Sequence, residues 1–169
     1  MNTTVIIQAS SRSKGNTQKV VNELNKHHNY DVIDLATKKI GHYSYEYKNA
    51  QDDFIPLMEE IVNKYDTIIF ATPVYWYTMS GILKVFFDRL SDLIRIHKNL
   101  GRELRGKKMA MISNSAENDR RTGFEMPFME SAKYLGMEYL GDTHAFFTSD
   151  KLDEQAIKQI EIFRKLFEK

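Results

Sequence analysis

A turn near the start of the chain, Ser10-Ser11-Arg12-Ser13-Lys14-Gly15-Asn16-Thr17, gathers hydroxyls, an amide, a glycine and two cations within a few residues. Placed where a strand passes into a helix, such a set can hold a phosphate. The first backbone N–H groups of a helix have no internal partners, and the helix dipole is positive there. Ser10, Ser13 and Thr17 add hydroxyl donors, and Arg12 can fork two donors toward phosphate oxygens. Asn16 or Thr17 can cap the helix while facing the same point. An ordinary surface turn has a similar composition, but the place of this one directly after the first apolar strand favours the phosphate. No G-x-G-x-x-G occurs in it. The nearest approach to a P-loop, Gly101-Arg102-Glu103-Leu104-Arg105-Gly106-Lys107-Lys108, ends in Lys where Ser or Thr is required and precedes a strand instead of following one.

A second region, Thr72-Pro73-Val74-Tyr75-Trp76-Tyr77-Thr78-Met79-Ser80-Gly81, contains the only tryptophan. Pro73 should end a strand and stiffen the turn. Three consecutive aromatics cannot all enter the core from one loop, so at least one is expected at an open edge with a flat apolar face. Packing of the loop against a helix or a second subunit is the plainer use. A phosphate loop beside an aromatic loop suits a ligand with a phosphate tail and a planar ring, of which flavin mononucleotide (FMN) is one.

The elements that must position these loops follow from hydrophobic period. Strands are predicted at Thr4–Ala9, Tyr30–Leu35, Thr67–Thr72, Lys108–Ser113 and Glu138–Phe147, the last interrupted near Gly141. Helices are predicted at Asn16–His28, Asp52–Lys64, Ser80–Ile96, Gly123–Leu135 and from Asp150–Asp153 onward, where Leu152, Ile157, Ile160, Phe163 and Leu166 form the apolar face. The almost wholly apolar third strand suits a parallel sheet covered on both faces. Five βα units imply a single α/β domain over residues 1–169, a three-layer sandwich on a five-stranded parallel sheet, for which the usual order is 2-1-3-4-5. Ligands of such sheets sit at the carboxyl ends of the strands where the winding reverses, which selects the loops 10–17, 73–79 and 113–122.

Composition narrows the chemistry further. The 169 residues include 24 Lys+Arg, 23 Asp+Glu, five His and no cysteine. Thiolate metal sites, iron–sulfur clusters and cysteine nucleophiles are excluded. A formal net charge of +1 gives no pull toward nucleic acid or acidic membranes. No apolar run approaches the roughly 20 residues of a membrane span, and no secretory signal is visible at Met1-Asn2-Thr3-Thr4. The expected location is the cytoplasm. His27, His28, His42, His97 and His144 show no metal-ligand spacing and read as satisfied or surface histidines. Arg120-Arg121 reads as a solvated charge cluster, with the phosphates of a nicotinamide dinucleotide as the sharper alternative. Tyr43, Tyr45 and Tyr47 fit a surface loop, a lid or a dimer contact equally.

Ser10-x-Arg12-x-x-Gly15-Asn16-Thr17, together with Thr72-Pro73-Val74-Tyr75-Trp76…Met79-Ser80…Lys84…Phe87-Asp88-Arg89, resembles the NADPH-dependent FMN reductase family of flavodoxin-like proteins. The resemblance implies non-covalent FMN, its phosphate held by Ser10, Arg12, Asn16 and Thr17. Its ring would lie against Pro73, Val74, Tyr75 and Trp76, with Tyr77 in the same segment and Ser113, Asn114 and Ser115 on the other side. It also implies NAD(P)H as co-substrate, a flavin, quinone or nitro- or azo-aromatic as acceptor, and a homodimer. The chain departs from cluster-bearing relatives, which have cysteines where it has Gly41–Tyr47, and from relatives with paired glycines in the third loop. The flavin carries the redox chemistry in such proteins, so no side chain is expected to act as acid or base. A flavodoxin-like electron carrier is the alternative. Carriers of that kind are usually strongly acidic, and the balanced charge here argues against one.

Overall fold

The β-branched runs form the centre of the molecule and the amphipathic segments cover it. A computed structural model describes residues 3–167. Strands β1 (Thr4–Gln8), β2 (Asp31–Asp34), β3 (Thr67–Pro73), β4 (Lys108–Ser115), β5 (Glu138–Thr148) and β6 (Lys151–Leu152) form one sheet of order β2-β1-β3-β4-β5-β6. The first five are parallel, in the expected order. The sheet is nevertheless mixed and six-stranded, because β6 turns back antiparallel on the end of β5. Ser149 and Asp150 both take positive φ there, making the tight reversal that two-residue hairpins require. Leu152 therefore belongs to this strand and not to the last helix.

The helices are α1 (Asn16–Asn25), α2 (Phe54–Lys64), α3 (Gly81–Arg95), α4 (Lys98–Arg102), α5 (Met126–Leu135) and α6 (Glu154–Arg164). Side chains alternate across the strands. Val5, Ile7, Ile68, Phe70, Met109 and Met111 meet α2, α3 and α5 in one core. Ile6, Ile69, Ala71, Ala110 and Ile112 meet α1 and α6 in the other. That is the three-layer arrangement expected. Helix α5 starts at Met126, later than expected, because Gly123 sits at φ +94 and Pro127 occupies the first turn. The short α4 had no amphipathic signal. Strand β4 runs on past the expected Ser113 to Ser115, which moves Asn114 and Ser115 from a loop onto the strand end.

The long connection from β2 to α2 is fixed by one buried residue. Arg89 on α3 is 1 % exposed. It donates to Asp92 (2.7 Å), Asp52 (2.5 Å) and the carbonyls of Gly41 and Asn49 (both 3.0 Å). Its guanidinium also lies over the Phe54 ring. Burial opposes the charge on Asp52, yet hydrogen bonds from Arg89 and from the N–H groups of Gly41 and Phe54 hold its carboxyl below the ordinary 3.8. Arg89 thus belongs to the architecture, and the ligand loops lie elsewhere. Among the described residues no group of three His, Asp or Glu is placed to hold a metal, and no helix is long and apolar enough to cross a membrane.

Candidate active site

The carboxyl ends of β1, β3 and β4 are bonded into one edge. Ala9 N–H donates to Ala71 O (2.8 Å), and Val74 N–H donates to Asn114 O (2.8 Å). Ser80, which precedes α3, donates its hydroxyl to Ala9 O (2.7 Å) and accepts from Leu83 N–H (3.3 Å), while its own N–H reaches Thr72 Oγ1 (3.0 Å). Ser80 therefore caps a helix and ties the first loop to the second. In the sequence Ser80 is a helix start and part of the motif that carries the resemblance, with no sign of this tie.

In the first loop, Ser10 and Thr17 are buried, Asn16 is half-buried and Arg12 is exposed. Ser10 Oγ accepts from Arg12 N–H (3.4 Å), and Gln8 Nε2 holds Ser13 O (3.0 Å). Helix α1 begins at Asn16 with Gly15 at the cap position, so neither Asn16 nor Thr17 caps it, and no side chain does. There is no acidic residue in its first turn either. The free N–H groups and the positive end of the dipole stay available beneath Arg12. Gly15 packs against Arg12, whose Nε would lie 3.7 Å from a Cβ at that position.

The aromatic loop is a hairpin. Tyr75 and Thr78 exchange backbone hydrogen bonds of 2.9 and 3.1 Å, and Trp76 and Tyr77 stand at its tip with φ +48 and +65. Two bulky aromatics in the left-handed region form a strained turn, each costing of order 1 kcal/mol or more. All three rings project outward, Trp76 with 92 % of its surface exposed, while Pro73 is buried and Val74 half-buried below them.

The third strand end divides its side chains. Ser113 and Ser115 turn to His144 on β5, with contacts of 2.9 Å to Nδ1 and 3.1 Å to Nε2. Asn114 alternates to the other face, the one its neighbour Pro73 on β3 also takes. It is 4 % exposed, and its Oδ1 is buried without a hydrogen-bond partner. A buried amide oxygen left unmet costs about 1–3 kcal/mol unless a ligand meets it. His144 is half of this arrangement, and no spacing in the sequence pointed to it. Burial holds its imidazole below the ordinary 6.5, assisted by the charge of Arg120 and opposed by the Glu117 carbonyl and Asp119. Arg120 is half-buried. It is ion-paired with Asp142, leaving only Arg121 of that pair exposed.

An uncapped helix N-terminus under an arginine, a strained aromatic hairpin and an unmet buried amide meet on one sheet edge. These features fit the phosphate and the polar, planar ring of FMN, and define a flavodoxin-like flavoprotein site. The chain matches the sequence profile described as NADPH-dependent FMN reductase over residues 2–150, and it belongs to that family of oxidoreductases. It is 28% identical over 151 residues, 80% of each chain, to the "Putative NAD(P)H-dependent FMN-containing oxidoreductase YwqN" of Bacillus subtilis. It is 29% identical to an "NADPH azoreductase" of a Bacillus species over 56% of this chain and 53% of that one. The structure called Trp repressor binding protein of Bacillus subtilis superposes with a TM-score of 0.75 at 22% identity, covering 96% of each chain, and so shares the fold.

Proposed function

We propose that this protein passes reducing equivalents from NAD(P)H through FMN to a small aromatic acceptor. The FMN phosphate is held by Ser10, Arg12, Asn16, Thr17 and the open N-terminus of α1. The ring would lie against Pro73, Val74, Tyr75, Trp76 and Tyr77, with Asn114 and the backbone of Ser113 and Ser115 at the end of β4. FMN supplies a carrier that takes hydride from the nicotinamide and delivers electrons onward. The protein binds it, orients it and leaves one ring face open, and no side chain is assigned as acid or base. The carrying observation is Asn114, whose buried amide oxygen has no partner on the strand bonded to the aromatic hairpin.

The azo compound in the name of one relative makes azo- and nitro-aromatics the first acceptors to try, followed by quinones and free flavin. We place the protein in the cytoplasm, as a single domain. It pairs with a second copy through the face of α3 and α5, where Ile94, Met126, Met129 and Tyr134 are exposed around a groove of about 330 Å³. Glu125 and Glu130 lie near the start of that face, and Arg95, Lys98, Arg102 and Arg105 lie at its other end. A two-fold axis across the helices sets each acidic end against the partner's basic end.

The test is to load the protein with FMN and add NADPH or NADH without oxygen. Bleaching of the yellow colour, restored by an azo dye, is the expected result. A yellow protein that neither nucleotide bleaches is a carrier, and a protein that takes up no FMN refutes both flavin readings.

A further inference from the structure

His144 stands outside every residue set named above as touching FMN, yet it controls three of the atoms around that edge. Its position depends on an irregularity. Met109 pairs with Tyr139, but Ala110 pairs with Gly141, so β5 carries one extra residue at Leu140 beside a glycine at φ +129. That bulge shifts the register by one and sets His144 opposite Ser113. Without it, Thr143 would take this position and His144 would point to the other face.

The hydrogen bonds define the tautomer. The Glu117 carbonyl lies 3.3 Å from Nε2 and can only accept, so Nε2 carries the proton. Nδ1 is then bare and accepts the hydroxyl of Ser113 at 2.9 Å. Ser115 Oγ, 3.1 Å from Nε2, turns its own proton to Glu117 O or to Asp119, 3.0 Å away. A neutral imidazole thus satisfies every partner. A protonated one donates from Nδ1 to Ser113, which reverses that bond and turns the serine hydroxyl to the longer contact with the Thr143 carbonyl at 3.4 Å.

We infer that His144 is a positioning residue of the flavin site. Its neutral imidazole clamps Ser113, Ser115 and the return of the loop at Glu117, and so fixes Asn114, which lies between the two serines and faces the ring. This rests on the flavin reading given above. Asn114 O also receives the Val74 N–H, so the clamp holds the root of the aromatic hairpin as well. The charged groups around the imidazole are Asp119, Arg120 and the Asp142 that pairs with Arg120. The neutral form is the competent one and His144 titrates below 6.5, so the contribution is present above that value and lost as pH falls through the depressed pKa.

The experiment measures FMN affinity between about pH 7.5 and 5 for the wild type, His144→Leu and His144→Gln, with thermal melts to confirm folding. Leucine removes both hydrogen bonds and should weaken FMN about tenfold at neutral pH. Glutamine offers one acceptor and one donor without titrating, so it should restore most of the affinity and leave only the shallower acid-side fall that protonation of the FMN phosphate causes. Wild-type affinity in a folded His144→Leu protein overturns the inference, as does a His144→Gln profile that falls at acid pH as steeply as that of the wild type. If the leucine protein fails to fold, the glutamine profile decides alone. A wild type that binds no FMN removes the flavin reading and this inference with it, an outcome distinct from either.

Discussion

Two parts of the molecule treat buried polar groups in opposite ways. Around Arg89, two carboxylates and two backbone carbonyls close on one guanidinium that is almost wholly out of solvent. At the carboxyl edge of the sheet, a helix N-terminus has no cap, Asn114 Oδ1 has no partner, and a hairpin tip holds two aromatics in the left-handed region. The first region stabilises the fold internally. The second carries costs that a bound ligand relieves. An unmet buried amide oxygen beside an open helix N-terminus and a strained turn marks an edge where a ligand can meet what the fold leaves open.

The largest test strikes the closed region. Replacing Arg89 with Met leaves the buried Asp92 and the half-buried Asp52 without their counter-charge and should destabilise the fold by about 3–5 kcal/mol, measured by denaturant titration. The effect should be on stability, and FMN affinity of the remaining folded protein should be unchanged. Weakened FMN binding without destabilisation would erase the distinction between the regions. Arg12→Ala probes the open region and should do the reverse. Loss of a charge-assisted pair of hydrogen bonds should weaken FMN roughly tenfold to a hundredfold with little change in apo stability. Unchanged affinity would move the phosphate elsewhere. The smallest effect concerns strain. Changing Trp76-Tyr77 to Asn-Gly gives the hairpin residues that tolerate positive φ and should stabilise the apo protein by about 1–2 kcal/mol. It should also lower turnover, because the rings beside the flavin are lost. A melting temperature that falls would show that the tip is not strained.

The repeated βα period made the strand order and both faces of the core legible, because β-branched and amphipathic runs declare themselves locally. Ser10, Arg12, Asn16 and Thr17 were legible for a related reason, since their place after the first strand decides their use. What escaped depends on partners distant in the chain or on weak local preference. Asn114 and Ser115 are poor strand formers, so the extension of β4 through Ser115 carried no signal. Ser149-Asp150 is an uncommon hairpin pair, which hid β6. His144 meets Ser113 only through the bulge at Leu140, and Arg89 meets Asp52 across 37 positions. Neither pairing has a spacing that a single sequence reveals.

The central claim is that the open edge holds FMN against the aromatic hairpin, and the chain carries its own probe there. Trp76 is the only tryptophan and is almost fully exposed. Its emission is followed as FMN is added to the apo protein. The account predicts quenching that saturates at one FMN per chain, with the affinity given by flavin absorbance and weakened equally in both signals by Arg12→Ala. FMN that binds stoichiometrically while Trp76 emission stays unchanged would contradict it.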